Sequence, residues 1–139
     1  LLEIFEILIR THDRKVLAKA GFLNDSINTH NQKLNKVYEY IMVNFTKKIY
    51  LKDVSSICCM SPSTFCRFFE NVTGKTLFDY LKEVRIGYAC KLLQESELTI
   101  SNICYQSGFN NLSHFNNQFK DINHVSPGEY RKMINKVSN

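Results

Sequence analysis

Two short sets of side chains in this sequence have the chemistry to read base edges. Ser63, Cys66 and Arg67 lie among phenylalanines at 65, 68 and 69, and Ser113, His114, Asn116 and Asn117 lie around phenylalanines at 115 and 119. In a helix, steps of three and four residues put the aromatics on one side and leave the small, polar and cationic groups on or near the other. A guanidinium fork such as that of Arg67 grips guanine O6 and N7, or a phosphate, while an asparagine amide pairs bidentately with adenine. Arg67 is the sharpest candidate of the set; the alternative is an ordinary solvated arginine, with Glu70 on or near the same side. Lone histidines here read as surface residues or local donors, and no metal or cofactor site is expected.

The elements that would carry these sets occur twice, about 50 residues apart. Ser63, Phe65, Phe69 and Tyr80 recur as Ser113, Phe115, Phe119 and Tyr130, and the helix-start pair Thr76 and Asp79 recurs as Ser126 and Glu129. A short helix is predicted from Leu51 to Cys58, followed by Ser61 as N-cap and Pro62 at the first helical position. The helix it opens runs to about Val72 and stops at Thr73 and Gly74. In the second copy Ile100 to about Gln106 is the short helix, residues 107–110 make the turn, and Asn111 caps a helix to about Ile122. Gly108 supplies freedom for a sharp turn. One extra residue there explains why the upstream helices align at an offset of 49 and the downstream ones at 50.

Between the copies, the longest helix runs from about Leu77 to Glu95, with a buried stripe of Leu77, Leu81, Val84, Tyr88 and Leu92, widened by Tyr80, Cys90 and Leu93. Nineteen residues span roughly 28 Å. That length is compatible with holding two readers on successive major-groove faces, about 34 Å apart. Upstream, Leu34, Val37, Tyr38, Ile41 and Phe45 share one helical face. Residues 11–33 are more polar and read as a connector with one short helix at 14–20. Residues 1–10 are apolar on nearly every side and need a cover, either another domain or a copy of themselves. The sequence opens on what reads as the middle of a helix, suggesting a piece of something longer.

Composition narrows the alternatives. The chain has 139 residues, 44% apolar, with five glycines and two prolines, so collagen-like or long linker architectures are excluded. No apolar run approaches the roughly 18 to 20 residues of a membrane span. Its formal charge is +5, and thirteen basic against nine acidic residues from Leu34 onward place most of the excess where the repeat lies. Cys58, Cys59, Cys66, Cys90 and Cys104 form no metal or redox spacing and read as free thiols in a reducing cytoplasm. No Ser, His and acid set or glycine-rich phosphate cradle supports an enzyme, and Glu95 and Glu97 read as a solvated helix end.

The stretches MSPSTFCRFFENVTGKTLFDYLKEVRIGYACKLL and LTISNICYQSGFNNLSHFNNQFKDINHVSPGEYRK resemble the C-terminal DNA-binding domain of AraC/XylS-family bacterial transcription regulators, over about 40–132. Ile103, Gly108, Phe109, Phe115, Phe119, Pro127, Tyr130 and Arg131 coincide with the signature region. The resemblance implies an all-α fold: two helix-turn-helix subdomains (34–75 and 96–139) joined by a linker helix (76–95). Residues 1–33 would be a linker and the helical end of a cupin-like sensor domain, with an amphipathic N-terminal helix resembling a dimer-forming one. Carried over by position, the base readers fall on Ser63, Cys66 and Arg67, and on Leu112, Ser113, Asn116 and Asn117. Ser61, Thr64, Lys75, His114, Lys120 and Arg131 are the expected phosphate contacts. Two departures stand out: Asn117 replaces a frequent arginine, and Asn123 and His124 replace the usual threonine-glycine turn, so one of them must take glycine's backbone angle.

The resemblance points to a cytoplasmic, nucleoid-associated regulator of promoter DNA. It also implies RNA polymerase contact, most often as an activator, homodimerisation through residues 1–10 or the sensor, and a small-molecule effector bound outside these residues. A repressor or architectural DNA-binding protein would use the same units, and a helical protein-interaction module would use them only as structure.

Overall fold

The computed structural model describes residues 24–139. The expected helices at 1–10 and 14–20 lie outside the described residues. The described elements are all helical: α1 (Asn24–Asn44), α2 (Leu51–Ile57), α3 (Pro62–Thr73), α4 (Leu77–Glu95), α5 (Ile100–Gln106), α6 (Leu112–Asn123) and α7 (Pro127–Val137). Two compact units result, one of Asn24–Asn44 with Ile49–Asp79 and one of Phe45–Lys48 with Tyr80–Asn139. Among the described residues no helix is long and apolar enough to cross a membrane.

Most helix starts follow their side-chain caps. Ser61 Oγ accepts from the Thr64 amide at 3.3 Å, with Pro62 next in line. Thr76, Thr99 and Asn111 accept from the amides of Asp79, Asn102 and His114 at 3.1, 3.2 and 2.8 Å. Ser126 and Glu129 complete a reciprocal capping box. α2 is the exception, because Tyr50 offers no side-chain cap. At the other ends, Gly74 closes α3 in the left-handed region with φ 74°.

Residues 24–33 belong to α1, helix where a connector was expected. Asn28, Thr29 and His30 are exposed. A helical turn that buries little leaves no apolar periodicity to detect. From Leu34 the face is as expected, with Leu34, Val37, Tyr38 and Ile41 buried. In the first unit this face shares the interior with Val54, Cys58, Phe65 and Phe69, and Tyr38 meets Phe69 edge-on at 6.4 Å.

The second core combines Ile86, Ala89 and Leu93 of α4 with Ile103, Cys104, Phe109, Phe115 and Phe119. The stripe expected for α4 is buried at Leu77, Tyr80, Leu81, Val84 and Leu93, but it is incomplete. Ile86 and Ala89 are fully buried, while Tyr88 and Leu92 are only partly so. The first three residues of α4 belong to one unit and the remainder to the other. Its apolar residues therefore serve different interiors, and no single face describes them.

Candidate nucleic-acid interface

In α3 the phenylalanine anchors fix which side faces out. Phe65 and Phe69 are fully buried and stack at 5.6 Å. Phe68 is half-buried, its ring 5.4 Å from that of His30. Ser63, Thr64, Cys66, Arg67 and Glu70 are exposed. The cap also organises the helix start, where Ser61 Oγ donates to Thr64 Oγ1 at 2.8 Å and lies 3.4 Å from Ser63 Oγ. Lys75 follows Gly74, and its amide donates to Thr73 Oγ1 at 3.2 Å.

α6 repeats the plan with a thicker aromatic support. Phe115 meets Phe109 at 5.2 Å and Phe119 at 5.8 Å, and Phe119 meets Tyr130 edge-on at 5.5 Å. Leu112, Ser113, His114, Asn117 and Lys120 are exposed, whereas Asn116 is half-buried. Leu112 is 37% exposed, enough for its side chain to meet a thymine methyl. The His114 ring leans on Phe109 at 6.0 Å.

The corners preceding the two helices are built alike. In the first, Cys59 donates to the Ser56 carbonyl at 3.0 Å and Met60 to the Ser55 carbonyl at 3.1 Å. In the second, Gly108 and Phe109 donate to Tyr105 and Cys104, both at 3.1 Å. These partners correspond at an offset of 49. Cys59 takes φ 55° and Gly108 φ 91°. Beyond α6 the glycine-like angle falls to His124, with φ 64°, whose amide still reaches the Lys120 carbonyl at 2.8 Å. Asn123 instead caps inward, donating to the Phe119 carbonyl and lying 3.8 Å from Cys90 Sγ.

One expected phosphate contact, Arg131, has partners within the chain. Arg131 donates from Nη1 to the Leu98 carbonyl at 2.7 Å and from Nη2 to the Ser96 carbonyl at 3.3 Å, while Nε is buried. Its fork secures the loop between α4 and α5. Arg85 plays a similar part that spacing in the sequence did not reveal. Its Nε donates to the Phe45 carbonyl at 2.7 Å and its Nη2 to the Lys47 carbonyl at 2.9 Å, and burial lowers its pKa. No local signal marks it, because its carbonyl acceptors lie 40 and 38 positions away.

The thiols are all free. Burial raises the pKa of Cys58, Cys90 and Cys104. Among the described residues, no group of three or more His, Cys, Asp or Glu side chains is placed to hold a metal ion.

A family profile described as a helix-turn-helix domain matches residues 54–133. An uncharacterised HTH-type transcriptional regulator of Bacillus subtilis, YdeC, is 31% identical over 110 residues, covering 79% of this chain and 37% of its own length. The bifunctional transcriptional activator and DNA repair enzyme AdaA of the same organism is 34% identical over 97 residues, covering 70% of this chain and 46% of its own. The chain thus spans less than half the length of these curated relatives. A solved transcriptional regulator from Chromobacterium violaceum, described among AraC-type DNA-binding domain-containing proteins, superposes with a TM-score of 0.69. It covers 75% of this chain and 93% of its own at 23% identity, a likeness of fold.

Proposed function

The chain belongs to the AraC-type helix-turn-helix family, and on that premise we propose that it binds double-stranded DNA through α3 and α6 and regulates transcription from the site it occupies. The observation carrying this reading is the pair of capped helices, each pinned by two buried phenylalanines one turn apart, with short polar groups left outward. Ser63, Cys66 and Arg67 would read bases from α3. Leu112, Ser113, Asn116 and Asn117 would read them from α6, each helix in its own major-groove segment. Ser61, Thr64, Lys75, His114 and Lys120 would hold phosphates and set register.

The name of AdaA supports activation as the regulatory sense; RNA polymerase is the protein partner proposed with it. Control by a small molecule bound outside residues 1–139, and pairing of two chains through residues 1–10 or a sensor domain, complete the proposal. The repair activity in that relative's name is not transferred, because the family match here falls on the helix-turn-helix domain.

Binding to promoter-length duplexes, titrated against salt, tests the reading. Arg67→Ala is expected to weaken a cognate site by about 1–3 kcal/mol and relax its base preference, with Asn116→Ala acting at the other half. Affinity independent of salt, or unchanged by both substitutions, would remove DNA as the partner.

A further inference from the structure

α3 and α6 are built to one plan from end to end. Each has twelve residues and opens on a side-chain cap, Ser61 or Asn111, that accepts from the amide three positions on. Each closes on a left-handed residue, Gly74 or His124, whose amide donates at 2.8 Å to the carbonyl of Glu70 or Lys120. Between these ends two fully buried phenylalanines fix the rotation, Phe65 and Phe69 in one helix and Phe115 and Phe119 in the other. With start, rotation and end matched, the sixth residue leaves both helices at the same place, as Arg67 in α3 and as Asn117 in α6. Both are exposed.

The groups offered there differ. Among the described residues no hydrogen bond, ion pair or ring contact engages the side chain of Arg67, Glu70, Asn116 or Asn117. Asn111 and Asn123, by contrast, are held in caps at the two ends of α6. A guanidinium offers donors only, in a fork that matches guanine O6 and N7. The exposed Glu70 carboxylate, on the next turn, offers acceptors only and matches the cytosine amino group. An asparagine amide offers a donor beside an acceptor, the complement of adenine N6 and N7. Leu112, 37% exposed and one turn before Asn116, adds the apolar surface that suits a thymine methyl.

We infer that positions 67 and 117 give the two halves of one duplex site different base composition, a G·C-reading half under α3 and an A·T-reading half under α6. This rests on the DNA-binding reading above and names the bases that each helix selects. One scaffold thus carries two base classes, set by a single equivalent position and its neighbours one turn away.

The test is selection from a randomised duplex library by the 139-residue chain, with melting curves confirming that each variant folds. The wild type is expected to enrich two separate segments, one fixed at a G·C pair and the other at A·T pairs. Arg67→Ala erases the first preference alone and Asn117→Ala the second alone. Asn117→Arg converts the second from A·T to G·C, the preferred base being favoured about tenfold over its replacement. A second arm needs no variant: 7-deazaguanine in the first segment, or 7-deazaadenine in the second, lacks the N7 acceptor and weakens the wild type about fivefold. The same preference in both segments, or none in either, overturns the inference. So does an Asn117→Arg variant that keeps the A·T preference, or an Arg67→Ala loss that is uniform over all sequences, as a phosphate contact would give. In each of these cases salt-dependent duplex binding leaves the DNA-binding reading standing. A folded wild type that binds no duplex removes that reading and the inference with it.

Discussion

The corners before α3 and α6 make the same two backbone bonds, yet one is built on Cys59 and the other on Gly108. A left-handed angle alone therefore does not demand glycine here, since a cysteine holds φ 55° in the equivalent place. What differs is crowding. A Cβ added at Gly108 would lie 2.5 Å from the Phe45 carbonyl oxygen, 2.9 Å from Arg85 Nε and 3.0 Å from Thr46 Cα. Two of these atoms make the hydrogen bond that anchors the 45–48 segment. The second corner has given up side-chain tolerance in exchange for a tightly seated basic loop.

The sharpest way to break that comparison is to reverse it. Gly108→Ala is expected to destabilise the second unit by about 3 kcal/mol, combining left-handed strain with overpacking against a backbone oxygen that cannot yield. Cys59→Gly should stay within about 1 kcal/mol, because relief of strain and greater freedom of the unfolded chain oppose each other. Urea unfolding of both variants decides the matter. Equal losses at the two positions would mean that the angle, and not the approach of Phe45, selects glycine.

How far the sequence reveals these features depends on the range of the interaction. Caps at Ser61, Asn111 and Ser126, the paired phenylalanines and the two corners are local, and residue type with spacing reveals them. Gly108 is legible as a turn residue, but its stronger reason lies more than 60 positions away at Phe45 and so leaves no local trace. The turn of α1 at residues 28–30 gives no helical signal because it buries little. The stripe drawn on α4 is buried at Leu77, Tyr80, Leu81, Val84 and Leu93 but misses Ile86 and Ala89, because one helix serves two interiors. Of the candidate site, outward groups at 63, 66, 67, 113 and 117 are legible by helical period. Partial burial of Asn116 and the inward turn of Arg131 depend on neighbours that periodicity cannot place.

Arg131 and Lys120 extend the comparison to two cations near α6 with opposite commitments. Arg131→Ala leaves the Leu98 and Ser96 carbonyls without their charged donor, and a loss of about 2 kcal/mol is expected in thermal or chemical unfolding. Measured where the variant remains folded, its DNA salt slope should match the wild type. Lys120→Ala should do the reverse, lowering that slope by about one with little change in stability. A reduced slope for Arg131→Ala would return this residue to the phosphate contacts and undo the structural assignment.

The smallest expected effect separates two helix starts that otherwise look alike. At α3 the reciprocal partner of the Ser61 cap is the Thr64 hydroxyl, which does not titrate in the acid range. At α7 it is the Glu129 carboxylate, which accepts from the Ser126 amide at 2.8 Å. The Ser126 backbone and hydroxyl hydrogen bonds hold Glu129 below its ordinary value of 4.5. A carboxylate depressed in the folded state contributes stability above its unfolded pKa and loses it as pH falls through the folded one. The melting temperature of the wild type should therefore exceed that of Glu129→Gln at neutral pH, with the gap closing through the acid side of pH 4.5. Full exposure of the carboxylate lets salt narrow the gap as well. Thr64→Val at α3 should show a difference that does not vary over the same range, because no proton is taken up there. A gap that persists unchanged at low pH would show that the carboxylate's charge is not its source, since glutamine and a protonated glutamic acid are both neutral and nearly alike in shape.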